Sequence, residues 1–132
     1  MTRNEAREIL MQIIFELDAN KNMDADTAAA LAAQRLAGNH ISRGSKLLSD
    51  IIENIDEVDN LINKYSRSWK TGRMPKVDLA VMRLATGEIK YSDDIPDAVA
   101  INEAINLAKK YSTEQSSRFI HGVLGAIAKN NE

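Results

Sequence analysis

Val77-Asp78-Leu79-Ala80-Val81-Met82-Arg83-Leu84-Ala85-Thr86-Gly87-Glu88-Ile89 is the stretch whose periodicity decides the fold. Val77, Val81, Leu84, Ala85 and Ile89 recur at the spacing of one helix face, so the segment reads as a helix starting near Lys76 with that face turned inward. Gly72 and Pro75 break the chain before it, and Ser92-Asp93-Asp94-Ile95-Pro96 makes a turn after it, with Pro96 suited to a first helical turn.

The same pattern extends outward in both directions. Toward the C-terminus, Val99, Ile101, Ala104, Ile105 and Ala108 mark another helix. Ser112 through Gln115 forms a capping-box pattern, and Phe119, Ile120, Val123, Leu124 and Ile127 line the last helix. Toward the N-terminus, Ser42 caps a helix whose stripe runs Leu47, Leu48, Ile51, Ile52, Ile55, Val58, Leu61, Ile62 and Tyr65. Asp24 or Asp26 caps an Ala-rich helix reaching about Leu36, ended by Gly38-Asn39-His40. Thr2 and Glu5 form a capping box ahead of Ala6, Ile9, Leu10, Ile13, Ile14 and Leu17. No segment alternates as a strand would, so the expected class is all-α, a compact bundle of about six to seven helices.

Composition agrees and narrows the function. The 132 residues are the length of one domain, spanning 1–132, with two prolines and 5% aromatics. The absence of cysteine excludes thiolate metal sites and thiol nucleophiles and fits a cytoplasmic protein. No apolar run is long enough to span a membrane and no signal-peptide pattern stands at the start, so the expectation is a protein with no membrane role. A net charge of −2 argues against a coat for nucleic acid, which needs a large positive excess; an RNA role must use a local basic patch and a helping partner. Catalytic readings fail, so the chain is not expected to be an enzyme, and no metal or cofactor is expected. His40 and His121 lack metal-ligand spacing, the run from Gly38 to Gly44-Ser45-Lys46 is one residue too long for a phosphate loop, and Asp56, Glu57 and Asp59 lack calcium-loop spacing.

Three sets of residues could meet RNA. Arg3 and Arg7 share a helix face, flank the apolar stripe and lie near a helix N-terminus, where charge and dipole both favour a phosphate; the plainer reading is a pair of solvated arginines. Lys64, Arg67, Lys70, Arg73 and Lys76 recur every third residue with no acid between Asp59 and Asp78, interleaved with Tyr65 and Trp69. Cations beside aromatic rings suit single-stranded RNA, though Trp69 reads better as a buried anchor than as a base platform. Lys109, Tyr111, Gln115, Arg118 and Phe119 sit where the last two helices join; Gln115 and Arg118 point outward if Phe119 points inward, and Phe119 by itself reads as core.

The second half also resembles a known family. Trp69, Arg73, Val77-Asp78, Met82-Arg83-Leu84-Ala85 and Glu88-Ile89 are similar to the middle motif of the NusB family. Ile95-Pro96, Val99-Ala100-Ile101-Asn102-Glu103-Ala104 and Leu107-Ala108-Lys109 match its next block, and Glu114, Ser116, Phe119 and Gly122-Val123-Leu124 its close. Ala6-Arg7-Glu8 and Ile14-Phe15 resemble its opening. The resemblance implies two packed helical sub-bundles and a bacterial, cytoplasmic transcription antitermination factor. Such a factor binds boxA-type RNA of nascent ribosomal RNA transcripts jointly with the ribosomal protein NusE and helps RNA polymerase read through terminators. It further implies Arg3, Arg7, Gln12, Tyr65, Lys109, Tyr111, Gln115, Arg118 and Phe119 as RNA-side residues, and Asp78 and Glu88 as NusE-side residues. Asn4 and Glu5 stand where the family often carries further basic residues, Thr86-Gly87 where an aromatic is common, His121 for asparagine and Gly125 for aspartate. The competing reading is a helical oligomerisation or scaffold module without RNA binding, and the resemblance also allows a homodimer over the RNA-facing side.

Overall fold

The computed structural model describes residues 1–131. Among them are seven α-helices, one 3-10 turn and no strand: α1 (Arg3–Ala19), α2 (Ala25–Arg35), α3 (His40–Glu53), α4 (Ile55–Tyr65), the turn Thr71–Arg73, α5 (Lys76–Tyr91), α6 (Asp97–Tyr111) and α7 (Glu114–Lys129). The all-α bundle is therefore as expected, with seven helices. Among the described residues no helix is long and apolar enough to cross a membrane.

The starts of the helices follow their capping chemistry. Thr2 Oγ1 accepts from the Glu5 amide at 3.1 Å while Glu5 Oε1 accepts from the Thr2 amide at 2.9 Å, the reciprocal box read from the sequence. Asp24, not Asp26, caps α2, accepting from the Thr27 amide at 2.8 Å and its hydroxyl at 2.7 Å. Three boundaries differ from expectation. The helix placed over 42–65 begins earlier, at His40, and breaks into α3 and α4 at Asn54, whose side-chain amide donates to the Asp50 carbonyl at 2.8 Å. Asparagine competes with the backbone ladder in this way. The break keeps both apolar stripes on the core side, so periodicity alone does not register it. At α7 the cap lies one residue later than the Ser112–Gln115 pattern: Thr113 Oγ1 accepts from the Ser116 amide at 2.9 Å. That register frees the Ser116 hydroxyl to donate to Asp78 at 2.7 Å, a tertiary bond that no local pattern contains.

The largest difference concerns α5. One inward face was expected, yet Asp78 through Ile89 are buried without interruption. α1, α3, α4, α6 and α7 all pack on it. α1, α2 and α3 gather on one side and α4, α6 and α7 on the other, so α5 is the shared core of two sub-bundles. Side-chain pairs give the directions. α1 is antiparallel to α5, since Arg7 meets Glu88 while Asp18 meets Lys76 and Arg83. α7 is parallel to it, since Ser116 meets Asp78 while Asn131 donates to the Ile89 carbonyl at 3.2 Å.

Gly87 shows how closely the helices approach. A Cβ there would lie 2.4 Å from Cγ1 and Cδ1 of the fully buried Ile51 on α3. Gly87→Ala therefore destabilises the fold by about 1–3 kcal/mol through overpacking, although alanine is the better helix former by about 1 kcal/mol. At Gly122 on α7 nothing lies within 4 Å of that position. Gly122→Ala is expected to stabilise by about 0.5–1 kcal/mol. Urea denaturation of both variants checks the contrast, and equal stabilisation would show that α3 yields to the added methyl.

Candidate nucleic-acid interface

The residues expected at the site divide into an internal set and an external one. Arg7 belongs inside, contrary to the expectation that it is reachable from solvent. It is 7% exposed, and its guanidinium donates from Nε to Glu88 Oε1 and Oε2 at 3.2 and 3.0 Å and from Nη2 to Oε2 at 2.8 Å. Glu103 stands 4.0 Å away on its other side. The physical reason was visible on the helical wheel: Arg7 precedes Leu10 by three residues and Ile14 by seven, so it occupies the apolar stripe itself. A guanidinium forced into that stripe needs a carboxylate, and α5 supplies one.

Glu88 and Asp78 are corrected with it. Glu88 is 3% exposed and Asp78 is 0% exposed, so neither presents a surface to a partner protein. Burial pushes the Glu88 carboxyl above the usual carboxylate range, with Arg7 pulling in the opposite direction. Asp78 Oδ2 accepts from Ser116, in the first turn of α5 where an acid complements the helix dipole. Arg83 is internal too. Burial lowers its pKa, but its pairing with Asp59 (2.7–2.9 Å) and Asp18 (3.6 Å) outweighs burial and holds it raised.

The external set forms a face along α1 and the α6–α7 junction. Gln12 Nε2 donates to the Tyr111 hydroxyl at 3.3 Å, and that hydroxyl donates to Glu8. Lys110 Nζ holds the same carboxylate at 2.9 and 3.1 Å. The Tyr111 hydroxyl and then Lys110 keep the Glu8 carboxyl below its ordinary range. Lys109, Gln115 and Arg118 are exposed beside this cluster, and the two cations have no carboxylate partner among the described residues. Phe119 is half-buried and meets Trp69 edge to face, with ring centroids 5.3 Å apart. That contact places Trp69 as a packing anchor at the edge of the core.

Two expected members do not join this face. Arg3 is exposed and pairs with Asp94 at 3.3 Å. It lies nine residues before Gln12, about 14 Å along α1. Because α1 and α7 run in opposite directions along α5, the arginine-bearing start of α1 and the start of α7 sit at opposite ends of the bundle. The arginines of the first set therefore do not share a corner with Lys109 and Arg118: Arg7 is buried and Arg3 stands toward the other end of the bundle. Tyr65 is displaced further, in a shallow pocket with Lys90, Ile127 and Asn130. Ile127 is nine residues beyond Arg118, again about 14 Å along the helix.

Sequence reasoning missed the groove beside Arg3. It has a volume of about 390 Å³, a floor that includes Ala6, Leu10, Gly44 and Leu47, and a rim with Arg43, Lys46, Asp93 and Asp94. Asp94 accepts from Arg43 as well as Arg3. No linear signal links these residues, which come from three separate segments. Among the described residues no group of histidines and carboxylates is arranged to hold a metal ion.

A model of the NusB family matches residues 4–129. The chain is 37% identical over 133 residues to the transcription antitermination protein NusB of Finegoldia magna, covering 100% of this chain and 97% of that protein. Its fold is similar to that of T. maritima NusB, with a TM-score of 0.89, 31% identity and coverage of 99% and 93%. It is also similar in fold to the NusB chain in a crystal structure of antitermination factors NusB and NusE in complex with dsRNA, with a TM-score of 0.83, 22% identity and 96% coverage of each.

The buried pair yields a prediction with a defined sign. In Arg7→Met the carboxylate of Glu88 loses its partner, at a cost of about 3–5 kcal/mol where it is ionised. The residual burial raises the Glu88 pKa further. A carboxyl whose folded pKa lies above its unfolded value favours the folded state below the unfolded pKa, and that advantage is lost as pH rises through the folded pKa. The deficit of Arg7→Met relative to the parent is therefore largest at alkaline pH and shrinks on acidification. Arg7→Met combined with Glu88→Met should recover most of it. Urea titrations at acid and alkaline pH measure both effects; a deficit that grew on acidification would refute the assignment.

Proposed function

Because the chain belongs to the NusB family, we propose that it is a bacterial, cytoplasmic transcription antitermination factor. It binds boxA-type RNA of nascent ribosomal RNA transcripts jointly with NusE, and so promotes read-through by RNA polymerase. It acts by binding, with no cofactor. Beyond family membership, one observation carries the reading: Gln12 and Tyr111 meet across α1 and the end of α6, and Lys109, Gln115 and Arg118 on the adjoining α6–α7 junction are exposed as well.

The chemistry of that face suits single-stranded RNA. Arg118 and Lys109 supply cations for phosphates, the rings of Tyr111 and Phe119 are platforms for unpaired bases, and the amides of Gln12 and Gln115 can read base edges. Lys110 neutralises the Glu8 carboxylate. Arg3 adds a more distant contact once Asp94 releases it. Arg7, Asp78 and Glu88 serve the site indirectly, by seating α1 and α7 on α5. NusE docks on other residues and extends the RNA surface, so two modest affinities combine.

Fluorescence anisotropy with a short boxA-like RNA tests the reading. Weak binding is expected from the chain alone and tighter binding with NusE. Two or three phosphate contacts give a shallow salt dependence, about −0.7 in log K per contact. Arg118→Glu should weaken binding without lowering thermal stability, since this exposed side chain has no carboxylate partner among the described residues. Absence of binding in every mixture would leave the chain a helical scaffold.

A further inference from the structure

The segment between α4 and α5 is the most cationic part of this acidic chain, and the RNA face proposed above does not use its cations. No acid lies between Asp59 and Asp78, while Lys64, Arg67, Lys70, Arg73 and Lys76 fall in that interval. Two of these cations are committed internally. Lys70 Nζ donates to the carbonyls of Asn63 and Ser66 at 2.9 and 2.8 Å, closing the end of α4, and Lys76 pairs with Asp18 at 3.2 Å. Arg67 and Arg73 are exposed and have no carboxylate partner among the described residues.

The segment holding them is ordered by its own hydrogen bonds. The Asn63 side chain accepts from the Thr71 amide at 2.8 Å and donates to its hydroxyl at 3.2 Å. Ser66 donates to the Trp69 carbonyl, and the Arg73 amide bonds Lys70 at 2.8 Å. Its course is fixed at two points. Tyr65 lies at the level of Ile127 on α7, and Trp69 lies against Phe119. The chain therefore runs alongside α7 toward its start, where Arg118 adjoins Phe119. Cations carried on a backbone already ordered leave only their side chains to be fixed on meeting phosphates.

We propose that RNA bound at Arg118 continues across the Trp69–Phe119 edge onto Arg67 and Arg73, so that the α4–α5 segment is a second half of the RNA track. This rests on the RNA-binding reading above. It also explains how a chain whose Arg7 is buried and whose start carries Asn4 and Glu5 can still hold RNA.

The test uses the full chain with NusE and two RNAs, a minimal boxA-like oligomer and one extended by several nucleotides on either side. Arg67→Glu combined with Arg73→Glu should weaken binding of an extended RNA by about tenfold and lower its salt slope by about 1.4, two contacts' worth. The minimal RNA should be affected less, and the thermal midpoint should not move. Lys129→Glu, a charge reversal at the far end of α7, should leave both RNAs unaffected. Trp69 is the only tryptophan, so in the chain without NusE its fluorescence should change on adding the extended RNA. If the parent binds RNA and Arg118→Glu weakens it, while the double variant binds both RNAs normally and Trp69 emission stays constant, this inference is overturned and the RNA reading stands. If the parent binds neither RNA, both fail together.

Discussion

The bidentate pair between Arg7 and Glu88 is the constraint on which the arrangement depends, because it joins α1 to a helix that has no solvent-facing side over twelve successive residues. A helix buried all round must satisfy its polar groups internally. The charged groups of α5 find partners on three other helices: Arg7 of α1 for Glu88, Asp59 of α4 and Asp18 of α1 for Arg83, and Ser116 of α7 for Asp78. Desolvation makes such pairs modest contributors to net stability, but losing one partner strands the other. Each therefore acts as an address, admitting one register of each helix against α5.

That internal use of charge shapes the surface. The chain has a net charge of −2, and several of its cations are committed to carboxylates inside the bundle or at its joints. Among the described residues the exposed cations without a carboxylate partner include Lys109 and Arg118 at the α6–α7 junction and Lys64, Arg67 and Arg73 at the end of α4 and in the segment after it, with Lys21 and Lys129 lying elsewhere. A binding face built from so few charges works with aromatic rings and side-chain amides rather than with electrostatic attraction alone. It gains from a partner that adds contacts.

Much of the fold was legible from local rules. Helix periodicity located the elements, and caps at Thr2 and Asp24 followed from side-chain chemistry that acts over three residues. The break at Asn54 was hidden because the apolar stripe continues through it, and the α7 cap shifted because Ser116 has a distant partner in Asp78. At the site, Gln115 and Arg118 were placed outward by the half-buried position of Phe119, and the structure agrees. Arg7 was misplaced although its spacing from Leu10 and Ile14 pointed inward, because a guanidinium was weighed by its charge rather than by its position on the wheel.

Sequence alone determined the class, the positions of most helices, the caps at the starts of α1 and α2 and the family, since these depend on spacing and residue type within reach of one segment. Only the tertiary structure decided which charges are spent inside and which remain for a ligand. Arg3 and Arg7 are four residues apart on one helix, yet one sits in solvent and the other in the core. What separates them is a carboxylate eighty-one residues further along the chain, brought near by the antiparallel docking of α1 on α5. The wheel places Arg7 on the apolar stripe, but which carboxylate meets it is a property of packed surfaces that neither segment's local pattern contains.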